Sequence, residues 1–81
     1  MNVVLSDRAI NALGEAPAIV RLAFAKQLRF LAANLQHPSL HAKKYDEAQD
    51  IWQARVNRNW RIYFTIAGDT YTIEDVIPHP K

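Results

Sequence analysis

The sequence of 81 residues contains no cysteine and carries a net charge of only +2. Without cysteine there is no disulfide, thiolate metal ligand or cysteine nucleophile, so stability must come from packing or from a partner. The apolar runs are short, such as the four residues Leu22–Ala25, whereas a membrane-spanning helix needs about 20. The N-terminus lacks the basic start and apolar run of a signal peptide. These absences predict a soluble, cytoplasmic protein with no membrane partner.

The chain is predicted to form one domain over residues 1–81, because a chain this short buries only about 60 to 65% of the surface that its unfolded form exposes. Residues 1–35 are rich in alanine and leucine, whereas residues 50–77 are rich in β-branched and aromatic side chains. Helix-forming and strand-forming residues are therefore separated along the chain. This separation predicts an α+β fold and not alternating βαβ units.

In the N-terminal half, Val3–Leu5 predicts a short strand, Ser6 an N-cap, and Gly14 the end of a first helix of about two turns. A second helix is predicted from apolar residues spaced by four, four, three and four, which should face the core: Val20, Phe24, Leu28, Leu31 and Leu35. The two helices are expected to form a hairpin. Residues 36–50 show no sustained period and are predicted to be a loop, with a helical turn near Asp46.

Three strands are predicted after this loop: Ile51–Val56, Trp60–Ala67 and Thr70–Ile77. They should form an antiparallel meander in one sheet packed on the helices, joined by the pair Gly68-Asp69 and by residues 57–59. Glycine in the first turn position favours a type II′ turn, and a left-handed residue is expected at or beside Asn59. Only a three-residue loop at 57–59 places the large apolar side chains on one face: Trp52, Val56, Trp60, Ile62, Phe64, Ile66, Tyr71, Ile73 and Ile77.

The same register places Gln53, Arg55, Arg61 and Tyr63 on the face away from the helices, with Arg55 directly opposite Arg61. Like charges in this position destabilise a sheet by about a few tenths of a kcal/mol or more. One interpretation is that Glu74, opposite Tyr63 and diagonal to Arg61, screens two arginines that simply keep an open sheet face soluble. The other is an anion site, because two planar guanidinium groups beside an aromatic ring can clamp a phosphate.

Several segments resemble the RelE/ParE superfamily of bacterial type II toxins, and most closely its RelE branch: His37-Pro38-Ser39-Leu40, Lys43-Lys44-Tyr45, Ile51–Val56, Trp60–Phe64, Gly68-Asp69-Thr70 and His79. The resemblance covers nearly the whole chain. It implies a strand, a helical hairpin and a terminal antiparallel meander in this order. It also implies a ribosome-dependent mRNA endoribonuclease that a cognate antitoxin holds silent, in a toxin–antitoxin hetero-oligomer.

In the family, basic residues on the concave sheet face position RNA and stabilise the transition state of cleavage. The residues that this resemblance marks as catalytic are Arg61, Arg55 and His79. The residues predicted to bind RNA are Lys43, Lys44, His41, Gln53, Tyr63, Arg58 and Lys81. Gln53 stands where some members carry a further basic residue, and His79 lies near a basic position that follows the last strand.

Cleavage of RNA by its own 2′-hydroxyl needs a base, an acid and positive charge on the phosphate, and arginine supplies only the charge. His79 is the best-placed titrating side chain, followed by His41 and His37, although a histidine in a loop is commonly only solvated. Lys43 and Lys44 either contact RNA phosphates or form a solvated basic loop. No metal and no cofactor are predicted, because no third ligand accompanies the two histidines of the loop.

The alternative is a protein that binds without cutting: a ParE-like inhibitor of DNA gyrase, or a remnant that still binds its antitoxin. Gln53 in place of a basic residue favours this alternative. So does the end of the sequence at Lys81, where many relatives continue into a segment with a further functional aromatic residue. The aromatic-flanked pair Arg55 and Arg61 favours the endoribonuclease.

Overall fold

A computed structural model describes residues 2–79 as a mixed five-stranded sheet with two α-helices packed on one face. The elements in chain order are β1 (Asn2–Leu5), α1 (Asp7–Glu15), α2 (Ala18–Ala33), a 3₁₀ helix (Pro38–Leu40), β2 (Lys43–Asp46), β3 (Ile51–Arg55), β4 (Trp60–Ala67) and β5 (Thr70–Pro78). The strand order is β1-β5-β4-β3-β2, and β1 runs parallel to β5 while the other neighbours are antiparallel. The predicted α+β class is confirmed. Neither helix of the described residues is long and apolar enough to cross a membrane.

Helix α1 begins at the predicted N-cap, where the Ser6 Oγ accepts a hydrogen bond from a backbone N–H three residues on. The same hydroxyl donates to the carbonyl oxygen of Glu74 at 2.9 Å, which ties the start of α1 to β5. The predicted end at Gly14 is wrong, because the helix continues through this glycine. It ends at Glu15, and the next residue, Ala16, is extended (φ −77°, ψ 152°). Ala16 precedes Pro17, and a residue before proline is disfavoured in the helical region.

The core lies between α2 and the inner face of the sheet. Val20, Phe24 and Leu31 of the predicted stripe are buried, while Leu28 and Leu35 are half-buried and pack against the core. The buried side chains of the strands that follow are Ala54, Ile62, Phe64, Tyr71, Ile73 and Val76, together with Val56 just after β3. Burying one large apolar side chain contributes about 1.5 to 3 kcal/mol, so this shared core fixes which face of the sheet points outward.

The pairing of β3 with β4 has the predicted register, with Arg55 opposite Arg61 and a three-residue loop between the strands. The expected left-handed residue at or beside Asn59 is not found in this loop. Instead the Asn57 Oδ1 accepts hydrogen bonds from the backbone N–H groups of Asn59 (2.9 Å) and Trp60 (3.0 Å). Asparagine side chains replace backbone turn bonds in this way, so the loop closes without a strained backbone.

The pairing of β4 with β5 starts at Gly68, whose φ of 60° suits the first position of a type II′ turn. Next to the turn the register is as predicted, with Ala67 opposite Thr70 and Phe64 opposite Ile73. The hairpin prediction is therefore confirmed for the half of these strands that is nearer to the turn.

Beyond this point a β-bulge shifts the register by one residue. Tyr63 pairs with Asp75 and not with Glu74, so the predicted register is wrong in this half of the hairpin. The extra residue brings Val76 into the core at 1% exposure. Ile77, predicted to face the core, instead lies beside Tyr63 on the outer face of the sheet. Bulges redirect side chains in this way and are common next to active sites.

The predicted loop before the meander contains a further strand. Residues Lys43–Asp46 form β2, an edge strand antiparallel to β3, and Pro38–Leu40 form a 3₁₀ turn before it. The helical turn predicted near Asp46 is wrong, because residues 47–50 form a tight turn that leads into β3. Asp50 ends this turn with a φ of 54°. The antiparallel part of the sheet thus has four strands. Residues of the edge strand β2 line pockets on the outer face of the sheet.

Candidate functional site

A cleft of about 400 Å³ lies on the outer face of the sheet, where β3, β4 and the end of β5 meet the segment before β2. Its lining residues are His41, Ala42, Lys43, Gln53, Arg55, Arg61 and His79. We call it the arginine cleft. Six of the ten site residues that the sequence predicted lie in this one cleft.

Arg61 forms the floor of the arginine cleft and is only 9% exposed. Its Nη1 donates hydrogen bonds to the carbonyl oxygens of Asn57 (2.8 Å) and Trp60 (3.0 Å), with a longer one to Arg58 (3.4 Å). The loop between β3 and β4 therefore holds this guanidinium in place. Burial, and then the charge of Arg55, lower the pKa of Arg61. The side chain nevertheless stays charged, because arginine is not deprotonated in proteins.

Arg55 lies directly across the sheet from Arg61. Its Nε is buried, and no group of the described residues accepts a hydrogen bond from it. Leaving a buried donor unpaired costs about 1 to 3 kcal/mol. Within residues 2–79, neither guanidinium forms an ion pair with a carboxylate. The two facing positive charges are thus arranged to favour an anion in the cleft.

Glu74 does not screen this arginine pair. Its carboxylate accepts a hydrogen bond from the Thr65 hydroxyl at 3.1 Å, and the bulge places Asp75, not Glu74, opposite Tyr63. The Asp75 Oδ1 in turn accepts a hydrogen bond from the backbone N–H of Val76 at 2.9 Å. The predicted position of Glu74 is therefore wrong, whereas the interpretation that the two arginines keep the sheet face soluble stays a prediction.

Two of the three candidate histidines reach the arginine cleft. His41 follows the 3₁₀ helix in a left-handed conformation with a φ of 47°. His79 follows β5, and its backbone N–H donates to the carbonyl of Asn59 at 2.6 Å. His37 lies elsewhere, with its ring stacked on Phe30 at a centroid distance of 3.8 Å. The cleft thus combines fixed positive charge with two imidazole groups.

Among the described residues that were predicted to bind RNA, Lys44, Arg58 and Tyr63 do not line the arginine cleft. Lys44 lies over the Trp52 ring, 5.1 Å from its centroid, and its Nζ is 2.9 Å from a carboxylate oxygen of Asp50. This hydrogen bond raises the pKa of Lys44. Arg58 is exposed in the loop between β3 and β4. Lys81 lies outside the described residues.

Tyr63, the tenth predicted residue, lines a second pocket of about 240 Å³ on the same face of the sheet. Its lining residues are Arg8, Tyr45, Ile51, Tyr63, Glu74, Asp75 and Ile77, and we call it the tyrosine pocket. The Tyr45 and Tyr63 rings meet edge to face at a centroid distance of 4.8 Å. Burial, and then Tyr45, raise the pKa of Tyr63, so its hydroxyl is neutral near pH 7. Tyr45 was not among the predicted site residues, although it ends the Lys43-Lys44-Tyr45 segment.

Gln27 supports the arginine cleft from the core side. Its amide is 5% exposed and donates hydrogen bonds to the carbonyls of Ser39 (3.0 Å) and Arg55 (2.8 Å). It also accepts a hydrogen bond from the Ser39 hydroxyl at 3.2 Å. The residue thereby joins α2 to the 3₁₀ turn before His41 and to the end of β3. Gln27 was not among the predicted site residues. A polar residue between Phe24 and Leu31 on an apolar helix stripe does indicate a buried hydrogen-bonding side chain.

Solved toxin structures resemble this chain in fold. The YoeB/ParE toxin from Agrobacterium tumefaciens superposes with a TM-score of 0.81 at 10% identity, over 99% of this chain and 100% of that one. A chain of the heterotetrameric YoeB-YefM toxin-antitoxin complex from Staphylococcus aureus superposes with a TM-score of 0.77 at 15% identity. The match covers 99% of this chain and 98% of that one. The chain has the RelE/ParE toxin fold. The isolated E. coli RelE toxin agrees, at 0.78 and 13% identity over 99% of this chain and 85% of that one.

The resemblance to RelE/ParE toxins that the sequence suggested is thus confirmed at the level of the fold. No family model matches the sequence, and no curated protein matches it either. On this RelE/ParE fold, the arginine cleft offers two guanidinium groups for a phosphate and two imidazoles for proton transfer. Among the described residues, no three histidine or acidic side chains are grouped so that they could hold a metal ion.

Proposed function

We propose that this protein is the toxin of a bacterial type II toxin–antitoxin system and that it cuts mRNA on the ribosome. The observation that carries the proposal is the arginine cleft, in which two guanidinium groups face each other beside two histidines. An RNA phosphate is an anion that matches this charge, and guanidinium groups bind phosphate oxygens through paired hydrogen bonds. The toxins that share the fold support the same role.

In the proposed reaction, the 2′-oxygen of a nucleotide attacks the adjacent phosphorus and the bond to the 5′-oxygen of the next nucleotide breaks. One neutral imidazole takes the proton of the 2′-hydroxyl, and the other, protonated, gives a proton to the leaving 5′-oxygen. His41 and His79 are the imidazole side chains of the cleft. Arg55 and Arg61 stabilise the charge on the pentavalent phosphate. Lys43 and Gln53 would contact the flanking backbone.

We infer that a cognate antitoxin is the partner of this protein and that the two form a hetero-oligomer in the cytoplasm. The YoeB-YefM complex from Staphylococcus aureus is a heterotetramer of this kind. The arginine cleft is open on the outer face of the sheet, so a protein segment that covers it would silence the proposed activity. Ribosomes and mRNA, the proposed targets, are found in the same compartment.

The decisive experiment is induced expression in a bacterial host, followed by mapping of the 5′ ends of cellular mRNA. We expect codon-phased cuts with the parent protein and none with Arg55→Ala or Arg61→Ala. Arg29→Ala is the matched control, because Arg29 is an exposed arginine of α2 on a different surface. Loss of the cuts in this control, or intact mRNA with the folded parent protein, would refute the proposal.

One observation favours the second candidate, a non-cutting relative that inhibits gyrase or only binds its antitoxin. The Nη1 of Arg61 already donates to loop carbonyls, which leaves fewer donors of this guanidinium for a phosphate. The same experiment separates these functions. Intact mRNA together with a DNA-damage response indicates gyrase, and growth without either effect indicates a remnant.

A further inference from the structure

The tyrosine pocket lies immediately beside the arginine cleft. Tyr63 and Arg61 are two residues apart on β4, so they point to the same face and are separated by about 7 Å along the strand. Tyr63 is also directly opposite Gln53, which lines the arginine cleft. The two pockets therefore form one continuous surface that is cationic at one end and aromatic at the other.

The structure of the tyrosine pocket depends on two local irregularities. The bulge in the β4–β5 pairing brings Ile77 and Asp75 into the pocket lining. A second register shift, between Lys44 and Asp46, lies at Tyr45 in β2. Tyr45 remains 60% exposed although its ring touches Tyr63. A large aromatic surface is thus left open to solvent at the rim of a pocket.

We propose that the tyrosine pocket binds the base of the nucleotide next to the phosphate held in the arginine cleft. The inference rests on the proposed RNA substrate and assigns a second subsite to it. Proteins that bind single-stranded nucleic acids combine a cationic groove with aromatic side chains on which bases stack. Here the aromatic rings lie one strand repeat from the guanidinium groups. The apolar wall formed by Ile51 and Ile77 suits the face of a base, and the charged rim suits its polar edge.

An aromatic pocket with acidic groups at its rim discriminates a base from a bare backbone. Tyr45 presents its ring without an ion pair, and the raised pKa of Tyr63 keeps the second hydroxyl protonated. The rim carries Arg8 as a donor and Glu74 and Asp75 as acceptors. Carboxylates at this position disfavour a phosphate but can accept a hydrogen bond from the amino group of a base. The phosphate therefore belongs in the arginine cleft and the base in the tyrosine pocket.

The test uses a six-nucleotide RNA in which every 2′-hydroxyl is methylated, so that the strand cannot be cut. A base is removed at each position in turn, and the affinity of the parent protein is measured by calorimetry. We expect one position at which the missing base lowers affinity by about fivefold or more, as loss of one base–aromatic stack does. This scan needs no variant, so it cannot be confounded by misfolding.

Variants then locate that base. Tyr45→Ala should weaken binding of the complete strand by the same factor and abolish the sensitivity to the missing base. Tyr45→Phe should bind like the parent, because it keeps the ring. Leu22→Ala is the control, since Leu22 is an apolar side chain of similar exposure (73%) on α2. Thermal melts of all variants establish that they are folded.

Failure of this inference can be told from failure of the proposed function. A strand that binds with base sensitivity while cellular mRNA stays intact supports the subsite and refutes the nuclease. Codon-phased cutting together with equal affinities of the parent and Tyr45→Ala refutes the subsite alone. The absence of any binding of the methylated strand to the parent protein also overturns the subsite.

Discussion

The two arginines of the cleft are held differently, so their substitution should change stability in opposite directions. Arg61→Ala removes the hydrogen bonds from Nη1 to the carbonyls of Asn57 and Trp60, at 2.8 and 3.0 Å. Two such bonds contribute about 1 to 3 kcal/mol together to the free energy of unfolding. Relief of the repulsion by Arg55 offsets about a few tenths of a kcal/mol of this loss. We expect a net loss of about 1 to 2.5 kcal/mol. For a domain of this size the loss lowers Tm by about 4 to 20 °C.

Arg55→Met should instead melt at or above the temperature of the parent. Methionine keeps an aliphatic stem of similar length but removes the Nε that is buried without a partner. An unpaired buried donor costs about 1 to 3 kcal/mol, and the repulsion between Arg55 and Arg61 is relieved as well. Both substitutions should nevertheless reduce cleavage by about 10² to 10³-fold, as loss of a preorganised donor does. Arg61→Lys should recover little, because a point charge does not reproduce the guanidinium fork.

The assay pairs thermal melts, followed by far-UV circular dichroism, with mRNA cleavage for each variant. Opposite changes in Tm together with a common loss of cleavage would separate the role in the cleft from the role in the fold. If Arg61→Ala melts at or above the parent, the loop carbonyls do not hold this guanidinium. If Arg55→Met melts well below the parent, the unpaired Nε of Arg55 does not destabilise the fold. Parent-like cleavage by both variants would show that the pair serves only to keep the sheet face soluble.

Three further perturbations test the support of the cleft, the register and the partner. Gln27→Leu leaves the carbonyls of Ser39 and Arg55 without their donor and should lower the free energy of unfolding by about 2 to 4 kcal/mol. Urea titration measures it, and an unchanged midpoint would contradict the role of Gln27. Deleting Arg58 shortens the loop between β3 and β4 and should give insoluble protein, whereas a soluble variant with parent-like near-UV dichroism would refute the register. The cognate antitoxin should stabilise the protein by about 4 kcal/mol at a thousandfold excess over Kd, and identical melting midpoints with and without it would refute this binding.

The register of β3 against β4 could be predicted because side chains alternate strictly along a strand. Only one loop length puts Trp52, Ile62 and Phe64 on the same face, and burial of that face leaves no other choice. The same alternation places Arg55 opposite Arg61, at the centre of the arginine cleft. The pairing of β4 with β5 could not be predicted for the residues that precede Phe64, because the sequence of β5 does not reveal a bulge. Val76 and Ile77 are both apolar, and packing decides which one is buried.

The edge strand β2 was missed for a related reason. Residues Lys43–Asp46 show no alternation of apolar and polar side chains. The strand is held by its backbone pairing and by Lys44, whose Nζ lies over the Trp52 ring and also pairs with Asp50. A lysine can interact with an aromatic ring in this way, but a search for hydrophobic patterns does not detect such a contact. Without β2 in the prediction, the contact between Tyr45 and Tyr63 could not be foreseen.

Because β1 pairs with β5, the sheet can be completed only after β5 has been synthesised. Ser6 and Glu74, which hydrogen-bond to each other, are 68 residues apart in the chain. The first strand leaves the ribosome early but finds its neighbour only after the last strand has emerged, and contacts between distant residues form slowly. His79 lies beyond that last strand, so the arginine cleft has all its side chains only once translation has passed this residue. The cleft that we propose for an RNA phosphate is thus among the last parts of the described fold to be completed.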